Sequence, residues 1–137
     1  MKTALVTGGA IRIGAAIVRA LSADCWRVIV HYNGSDTAAE ALAAQLNECG
    51  GQVETIRCDL SDLEATERLI PDCVALAGTI DCLINNASLF EPDWLTNLDA
   101  AQWQRQLDVN LRAPALLTKA FAEALPDDRE GCIINML

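Results

Sequence analysis

The sequence is poor in basic residues and in long apolar runs. Ten Lys and Arg residues stand against nineteen Asp and Glu, for a net charge of −9. Proteins that bind the phosphate backbone of nucleic acids are usually basic, so this charge argues against a nucleic-acid partner. The apolar runs are far shorter than the roughly 20 residues of a membrane span, and Met1 and Lys2 lead straight into a strand-like run with no signal peptide. We therefore expect a cytoplasmic protein with no membrane partner.

Patterns for metal ligands and disulfides are also missing. The cysteines have no Cys-x-x-Cys spacing, and His31 is the only histidine, so no ligand cluster is visible. Cys82 and Cys132 lie in apolar strand-like runs, where a free thiol behaves as a small hydrophobic group. We expect no metal site and a structural role for all six cysteines, which are Cys25, Cys49, Cys58, Cys73, Cys82 and Cys132.

What the chain does contain is an alternation of strand-like and helix-like segments. Its 137 residues leave room for one domain with one core. Strands are predicted at 2–6, 26–32, 53–57, 81–85 and 131–136, and helices at 13–23, 37–49, 61–77 and 99–124. This order predicts an α/β protein with right-handed crossovers, in which helices cover both faces of a parallel sheet.

Local signals mark the helix boundaries. Predicted capping pairs are Thr37 with Glu40, Ser61 with Glu64, and Asp99 with Gln102, while Gly50-Gly51 ends the second helix. Two prolines fall inside helical segments. Pro71 is expected to break or kink the third helix and Pro114 to kink the last one, because proline has no N–H to donate.

A glycine-rich turn, Thr7-Gly8-Gly9-Ala10-Ile11-Arg12-Ile13-Gly14, follows the first strand and leads directly into a helix. Such a turn lets the backbone approach a pyrophosphate, and the helix N-terminus then offers free N–H groups to the anion. Gly14 would let the helix pack close to the strand. The alternative is a tight turn that binds no ligand.

A second polar segment, Asn85-Asn86-Ala87-Ser88, follows the fourth strand. Asparagines and a small residue at the carboxyl end of a strand are typical of a crevice where the strand order of an α/β sheet reverses. The amides can tie the loop backbone together, and Ala87 leaves space for a ribose or a ring.

The two segments together resemble the short-chain dehydrogenase/reductase family, whose patterns are Thr-Gly-x3-Gly-x-Gly and Asn-Asn-Ala. Arg12 stands in place of the middle glycine, and this variant resembles the pteridine reductase branch. The run Asn-Leu-x-Ala-Pro-x-x-Leu-x-x-Ala-Phe, from Asn110 to Phe121, resembles the same branch. The resemblance implies a Rossmann-type doubly wound parallel sheet of order 3-2-1-4-5, with residues 1–137 forming an NADP-binding domain.

The end of the second strand bears on the choice of cofactor. In NAD enzymes an Asp or Glu there accepts from the ribose 2′-OH, whereas the first acid here is Asp36. A carboxylate about 4 Å from a 2′-phosphate would cost on the order of 4 kcal/mol at an effective dielectric near 20. Asn33 and Ser35 can instead donate hydrogen bonds to a phosphate, so we predict NADP(H) over NAD(H). His31 is interpreted as a strand-end side chain and not as a catalyst.

The resemblance also implies roles for individual residues. Asp59 would bind the adenine amino group, unless it is a turn residue ahead of Ser61. Phe90 would stack a pterin ring against the nicotinamide, unless it is a loop anchor. Asn110 would hold a water of the proton relay, unless it only stabilises a kinked helix. The implied cofactor contacts are Thr7, Gly8, Gly9, Arg12, Ile13, Gly14, Tyr32, Asn33, Ser35, Asp59, Leu60, Asn86, Ala87 and Ser88, and the implied substrate contacts are Arg12, Ser88 and Phe90.

The implied chemistry is hydride transfer to a pterin-like or carbonyl small molecule, with a Tyr as proton donor and a Lys four residues later. Tyr32 is the only tyrosine and no Tyr-x3-Lys occurs. We therefore expect residues 1–137 to be the N-terminal part of an NADPH-dependent oxidoreductase, with the sheet truncated after the fifth strand, the catalytic portion absent, and no activity alone. The complete protein would be a homo-oligomer. The alternative is a catalytically dead NADP-binding module or sensor subunit.

Overall fold

A computed structural model describes residues 1–136. The strands are β1 (Thr3–Val6), β2 (Arg27–Tyr32), β3 (Gln52–Arg57), β4 (Cys82–Asn85) and β5 (Cys132–Asn135). The helices are α1 (Arg12–Ala23), α2 (Asp36–Glu48), α3 (Leu63–Ala77), α4 (Ala100–Leu107) and α5 (Ala113–Ala124), with a π-helical turn at Asp108–Arg112 between α4 and α5. Within residues 1–136 no helix is long and apolar enough to span a membrane.

All strand pairs are parallel, and the sheet order is β3-β2-β1-β4-β5. This order confirms the α/β fold and the strand arrangement predicted from the sequence. The chain moves outward from β1 to β3 and then crosses back to β4 on the other side of β1. The order therefore reverses between β1 and β4, where an open parallel sheet leaves a crevice at the carboxyl ends of its strands.

Two hydrophobic clusters cover the two faces of the sheet, because successive side chains of a strand point to opposite sides. Ala4 and Val6 belong to the cluster beneath α1 and α2, whereas Leu5 belongs to the cluster beneath α3 and α5. All four residues of β1 are buried. The four residues of β5 are exposed, and this strand pairs with β4.

Of the two effects predicted for Pro71, a break or a kink, the break is wrong, since α3 continues through it from Leu63 to Ala77. Pro71 itself is exposed, but Leu69, Ile70 and Cys73 around it are buried against the sheet. A proline inside a helix costs roughly 3 kcal/mol. Burial of these neighbouring side chains offsets that cost and keeps the helix continuous.

The helix caps differ from the predicted ones at two of three helices. Asp62, and not Ser61, caps α3 by accepting a hydrogen bond of 3.0 Å from the N–H three residues later. Ser61 is already engaged, because its hydroxyl donates to Asp59 at 2.7 Å. The box predicted for α2 is also wrong, since that helix follows Ser35 and has no side-chain cap. The cap at Asp99 is confirmed by a bond of 2.7 Å to the N–H three residues later.

The single helix predicted for residues 99–124 is divided into α4 and α5 by the π-helical turn. The N–H of Ala113 donates to the carbonyl of Asp108, five residues earlier. Pro114 follows at the start of α5 and has no N–H, so the Asn110 carbonyl receives no bond from four residues later. The irregularity expected at Pro114 therefore lies just before it, and Asn110 is at its centre.

Candidate functional site

A crevice of about 740 Å³ lies at the carboxyl ends of β1, β2 and β4. Twelve of the predicted site residues line it, namely Gly8, Arg12, Ile13, Gly14, Tyr32, Asn33, Ser35, Asp59, Leu60, Asn86, Ala87 and Ser88. Thr7, Gly9, Phe90 and Asn110 were also predicted to belong to the site but are not among its lining residues. The residues predicted from the sequence therefore include twelve that line the crevice and four that do not.

The turn after β1 is folded back onto β2. Gly8 has a φ of +61°, and its N–H donates to Nδ1 of His31 at 3.1 Å. Gly9 is buried, and its N–H donates to the His31 carbonyl at 3.0 Å. Both N–H groups are thus used inside the protein, and Gly9 shapes the turn without facing the crevice.

Gly14 is required by a close approach between α1 and the turn. A Cβ at this position would overlap the Gly8 carbonyl oxygen and would lie 2.8 Å from Nδ2 of Asn86. The first turn of α1 also has no acidic residue and no side-chain cap, with Ile11 at the N-cap. Its unpaired N–H groups, together with the helix dipole, favour an anion at this end of the crevice.

Arg12, the first residue of α1, has a φ of +51°. A left-handed conformation costs a side chain other than glycine roughly 1–2 kcal/mol. Its side chain is exposed at the mouth of the crevice. Strain at a residue that lines a cleft is a reason to suspect function, and it agrees with the predicted position of Arg12 beside a bound anion.

Thr7 and Asn86 join the ends of β1 and β4. The Thr7 hydroxyl accepts from the N–H groups of Asn86 and Ala87 at 2.9 and 3.0 Å. In return, Nδ2 of Asn86 donates to the carbonyls of Thr7 and Gly8 at 2.9 and 3.1 Å. These bonds bring Ala87 close to Gly8, where a Cβ on the glycine would lie 2.9 Å from the Ala87 Cα.

On the other side of the crevice, Asp59 forms a turn with Ser61. The N–H and the hydroxyl of Ser61 both donate to Oδ1 of Asp59, at 2.9 and 2.7 Å. The turn interpretation of Asp59 is therefore correct as far as Oδ1 is concerned. The other carboxylate oxygen, Oδ2, is left for a ligand, so the two interpretations are compatible.

The end of β2 carries no carboxylate up to Asp36, the first residue of α2. Asn33 and Ser35 line the crevice there. Arg57 of β3 was not singled out from the sequence, yet its Nε donates to the Asn33 carbonyl at 3.1 Å. Its guanidinium adds positive charge beside the end of β2. The pairing of Arg57 with Tyr32 across β2 and β3 explains this proximity.

His31 is buried beneath the same crevice with 2% of its surface exposed. Besides accepting from Gly8, its ring places Nε2 3.0 Å from the Cys58 carbonyl. Burial lowers the pKa of His31 to about 4, so the imidazole is neutral near pH 7. The prediction that this histidine is not a catalyst stays untested, but its hydrogen bonds exceed those of an ordinary strand-end side chain.

Asn110 is tied to the segment that follows β4. Its Nδ2 donates to the Leu89 carbonyl at 2.7 Å, and its Oδ1 accepts from the Leu89 N–H at 2.8 Å. The side chain is thus occupied by the backbone of the segment after β4, and not by the kinked helix that the structural alternative proposed. Any water held for a proton relay would have to use the main-chain carbonyl of Asn110, which receives no hydrogen bond from Pro114.

Phe90 follows this bonded residue but is 80% exposed. It therefore does not act as the loop anchor that was considered. Beyond it, Oε2 of Glu91 pairs with a guanidinium nitrogen of Arg105 at 3.1 Å, and both residues line the crevice. No pattern in the sequence marked this pair, because their contact depends on how the loop meets α4.

The cysteines of residues 1–136 are free thiols. Burial raises the pKa of Cys58 to about 11 and the pKa of Cys73 and Cys82 to about 12, so these thiols stay protonated. Cys82 packs in the core as expected, whereas Cys132, its neighbour on β5, is exposed. Burial of Cys132 as a small hydrophobic group is therefore not observed.

Comparisons with known proteins agree with this architecture. A 3-oxoacyl-[acyl-carrier-protein] reductase from Synechocystis sp. is 33% identical over 135 residues, which are 98% of this chain and 55% of that protein. FolM alternative dihydrofolate reductase 1 from Brucella suis, solved in complex with NADP, is 38% identical with a TM-score of 0.92, over 98% of this chain and 56% of that one. A short-chain dehydrogenase from Burkholderia cenocepacia, also solved with NADP, is 34% identical with a TM-score of 0.91, over 98% of this chain and 54% of that one.

The chain thus spans about half the length of the relatives it matches. A family model described as short chain dehydrogenase matches residues 2–137. The match includes the glycine-rich turn, the Asn-Asn-Ala segment and the five strands in their observed order. The chain belongs to the short-chain dehydrogenase/reductase family.

Proposed function

We propose that residues 1–137 form the NADP(H)-binding part of a reductase that transfers hydride to a pterin-like or carbonyl substrate. One observation carries the proposal. The crevice combines an uncapped helix N-terminus with a β2 end that is free of carboxylate. Relatives solved with NADP, among them FolM from Brucella suis, support the same cofactor.

The pyrophosphate would bind where α1 meets the turn. The N–H groups in the first turn of α1 have no side-chain acceptor, and Gly14 keeps that helix end close to the turn. Arg12 adds a positive charge at the same mouth of the crevice. A dianion there would be stabilised by the helix dipole and by the guanidinium.

The 2′-phosphate would lie at the end of β2. Asn33 and Ser35 can donate hydrogen bonds to it, and Arg57 brings a guanidinium to the Asn33 carbonyl. Asp36, which starts α2, is exposed, so solvent screens its charge. Asp59 would hold the adenine amino group through Oδ2, while Oδ1 keeps its turn.

The nicotinamide would lie at the opposite end, beside Ala87 and Ser88. When bound, the cofactor supplies a hydride from C4 of its nicotinamide. Ala87 packs directly on Gly8, and its small side chain leaves room for the ring. Asn110 fixes Leu89, and with it the segment that borders this end, through two hydrogen bonds. Its main-chain carbonyl can hold a water for proton transfer.

Binding preference is the first test of this proposal, measured on the natural polypeptide that carries residues 1–137. Fluorescence titration should give a dissociation constant for NADPH at least about 10-fold below that for NADH. Asn33→Asp should weaken NADPH binding by about 10-fold or more through charge repulsion, and NADH binding by less than about 3-fold. Gln45→Glu is the matched control, because it adds the same charge at an exposed position near the C-terminal end of α2 that does not line the crevice.

Each contrary result has a distinct meaning. Equal affinity for both cofactors, unchanged by Asn33→Asp, would overturn the assignment of the 2′-phosphate site. Failure to bind either nucleotide would remove the nicotinamide cofactor altogether.

Turnover tests the substrate class. We propose that Arg12, Ser88 and Phe90 face a dihydropterin, and oxidation of NADPH should then depend on added dihydropterin or dihydrofolate. A reaction seen with a 3-oxoacyl thioester and not with either pterin would assign the carbonyl class instead. Both classes occur among the names of the relatives.

A catalytically dead NADP-binding subunit is the second candidate. It is favoured by one observation, which is that Tyr32 is the only tyrosine in the printed sequence and lies on the adenine side. A positioned general acid contributes roughly 10²–10⁴-fold to the rate, so we propose that residues 1–137 alone bind NADPH without reducing a substrate. Turnover by this isolated segment above the uncatalysed rate would contradict that statement.

A further inference from the structure

The imidazole of His31 bridges two turns that lie on opposite sides of β2. Gly8 belongs to the turn after β1, and Cys58 is the first residue after β3. Since β2 lies between β1 and β3 in the sheet, the ring sits between the two departing chains. Its distances are 3.1 Å from Nδ1 to the Gly8 nitrogen and 3.0 Å from Nε2 to the Cys58 oxygen.

The partners fix the protonation of the ring. A backbone N–H can only donate and a carbonyl can only accept, so Nδ1 must accept from Gly8 while Nε2–H donates to Cys58. This is the neutral tautomer with its proton on Nε2. Burial of the ring lowers the pKa of His31 to about 4 and keeps this form at neutral pH, although the charge of Asp59 acts in the opposite direction.

The two hydrogen bonds of His31 join the turn that would bind the pyrophosphate to the turn that would bind the adenine. Gly8 has a left-handed φ, which turns its N–H inward to the imidazole, and the carbonyl of the same residue contacts Asn86 and the space beside Gly14. Cys58 immediately precedes Asp59. The main-chain bonds from Gly9 to the His31 carbonyl and from Cys58 to the Tyr32 carbonyl hold each turn to β2 separately.

We propose that His31 is a positioning residue that sets the separation between the pyrophosphate turn and the adenine turn, so that a whole dinucleotide spans both. The inference rests on the proposed NADP(H) site. A dinucleotide must satisfy both turns at once, whereas adenosine 2′-monophosphate has no 5′-phosphate and reaches only the adenine side. Loss of the bridge should therefore penalise NADPH more than this fragment.

The test compares three variants of the natural polypeptide. His31→Gln keeps a donor and an acceptor at similar reach. His31→Asn keeps an acceptor for Gly8 but is too short to reach Cys58. His31→Leu has a comparable size and makes neither bond, leaving two polar backbone groups unpaired. Dissociation constants for NADPH and for adenosine 2′-monophosphate are measured for each, beside the thermal midpoint without ligand.

We expect His31→Leu to weaken NADPH binding by about 10-fold or more and the fragment by less than about 3-fold. His31→Gln should restore NADPH binding to within about 3-fold of the natural protein. The proposal is overturned if the thermal midpoint falls while the affinities for NADPH and for the fragment fall equally or not at all. His31 would then be a residue that only stabilises the fold.

Two further outcomes are informative. If His31→Leu does not fold, His31→Asn and His31→Gln decide, because Asn should bind NADPH at least about 3-fold more weakly than Gln, and equal affinities overturn the proposal. If the natural protein binds neither NADPH nor the fragment, the proposed function fails before the role of His31 is reached, so the two failures are distinguishable.

Discussion

The turn after β1 (residues 7–14) and the segment after β4 (residues 88–99) border the same crevice, yet they are held very differently. In the turn, Thr7, Gly9 and Gly14 are buried, and hydrogen bonds to β2 and β4 fix its course. In the segment, Phe90, Trp94 and Leu95 are 80%, 73% and 94% exposed. A change in the course of the turn would break the hydrogen bonds made by Thr7, Gly9 and Asn86, whereas the exposed segment can adjust at little cost.

The difference shows which end of the crevice is already formed. We propose that the turn forms an anion site whose backbone course is set before any ligand arrives, so little ordering entropy remains to be lost on binding. The segment after β4 is tied mainly through Leu89 and Glu91, by bonds to Asn110 and Arg105. Substitutions in the turn should therefore act on cofactor affinity, and substitutions in the exposed part of the segment, residues 90–99, should leave it unchanged.

The largest loss of NADPH affinity from a single substitution should come from Gly14→Ala. The added Cβ overlaps the Gly8 carbonyl and presses on Asn86. These two groups are hydrogen-bonded to each other, so a shift of either one strains that bond. Overpacking of this kind costs typically 1–3 kcal/mol, and the turn must shift to absorb it. We expect NADPH affinity to fall by about 100-fold, measured by titration at a temperature where the variant is folded.

Gly34→Ala is the matched control for this change. A Cβ at Gly34 meets nothing within 4 Å, and the residue borders the same crevice. We expect NADPH binding within about 3-fold of the natural protein for this control. Equal losses in both variants, or none in Gly14→Ala, would show that the turn is more compliant than its contacts indicate.

Acid should weaken the buried turn through His31. Burial lowers the pKa of this residue to about 4, below the unfolded value near 6.5. The unfolded chain therefore takes up the proton first, and the stability present above pH 6.5 is lost as the pH falls towards 4. This residue alone should reduce the free energy of unfolding by about 2 kcal/mol between pH 7.5 and pH 5.

Denaturant titrations at the two pH values measure this loss. Gln does not titrate, so the His31→Gln variant should lack this part of the pH dependence and lose about 2 kcal/mol less than the natural protein. The nearby Asp59 favours protonation of the ring, and keeping it intact in both proteins leaves the comparison matched. An identical pH dependence in the two proteins would contradict a neutral, buried imidazole.

The ability of the sequence to predict this fold and site follows the same division. Periodicity and glycine positions identified the strands and the turn, because burial on both faces leaves few alternatives for a parallel strand, and the resemblance to the family implied the strand order. Thr7, Gly14 and Asn86 were singled out because their segments resemble the patterns of the family. The break at Pro71 was wrongly predicted because its cost is local, while the packing that offsets it involves residues of the sheet.

Contacts between distant loops could not be predicted. Arg57 beside Asn33, and Arg105 beside Glu91, depend on register and on loop paths that no short pattern encodes. The two hydrogen bonds of His31 were missed for the same reason, since one partner lies 23 residues earlier and the other 27 residues later. Its position next to the strand end was visible, but its partners were not.

Arg12→Gly should give opposite changes in stability and in binding. Glycine relieves the left-handed φ of +51° at this position, which we expect to raise the free energy of unfolding by about 1 kcal/mol, less a part returned to chain entropy. Removal of the guanidinium should weaken NADPH binding by about 3- to 10-fold. Arg12→Lys, which keeps both charge and strain, is the control. A loss of stability in Arg12→Gly would contradict the strain.

The smallest effect on the folded protein should come from Phe90→Ala. This ring is 80% exposed, so truncation removes little buried surface and should change the free energy of unfolding by less than about 0.5 kcal/mol. Phe121→Ala is the contrast, because that ring is 3% exposed in the core and its loss should cost about 3–5 kcal/mol.

NADPH affinity of Phe90→Ala should stay within about 2-fold, while KM for a dihydropterin should rise if the ring stacks on the substrate. A stable variant with unchanged NADPH affinity and unchanged KM would remove Phe90 from the substrate site, and an unstable one would show that the segment after β4 is packed more firmly than its exposure indicates.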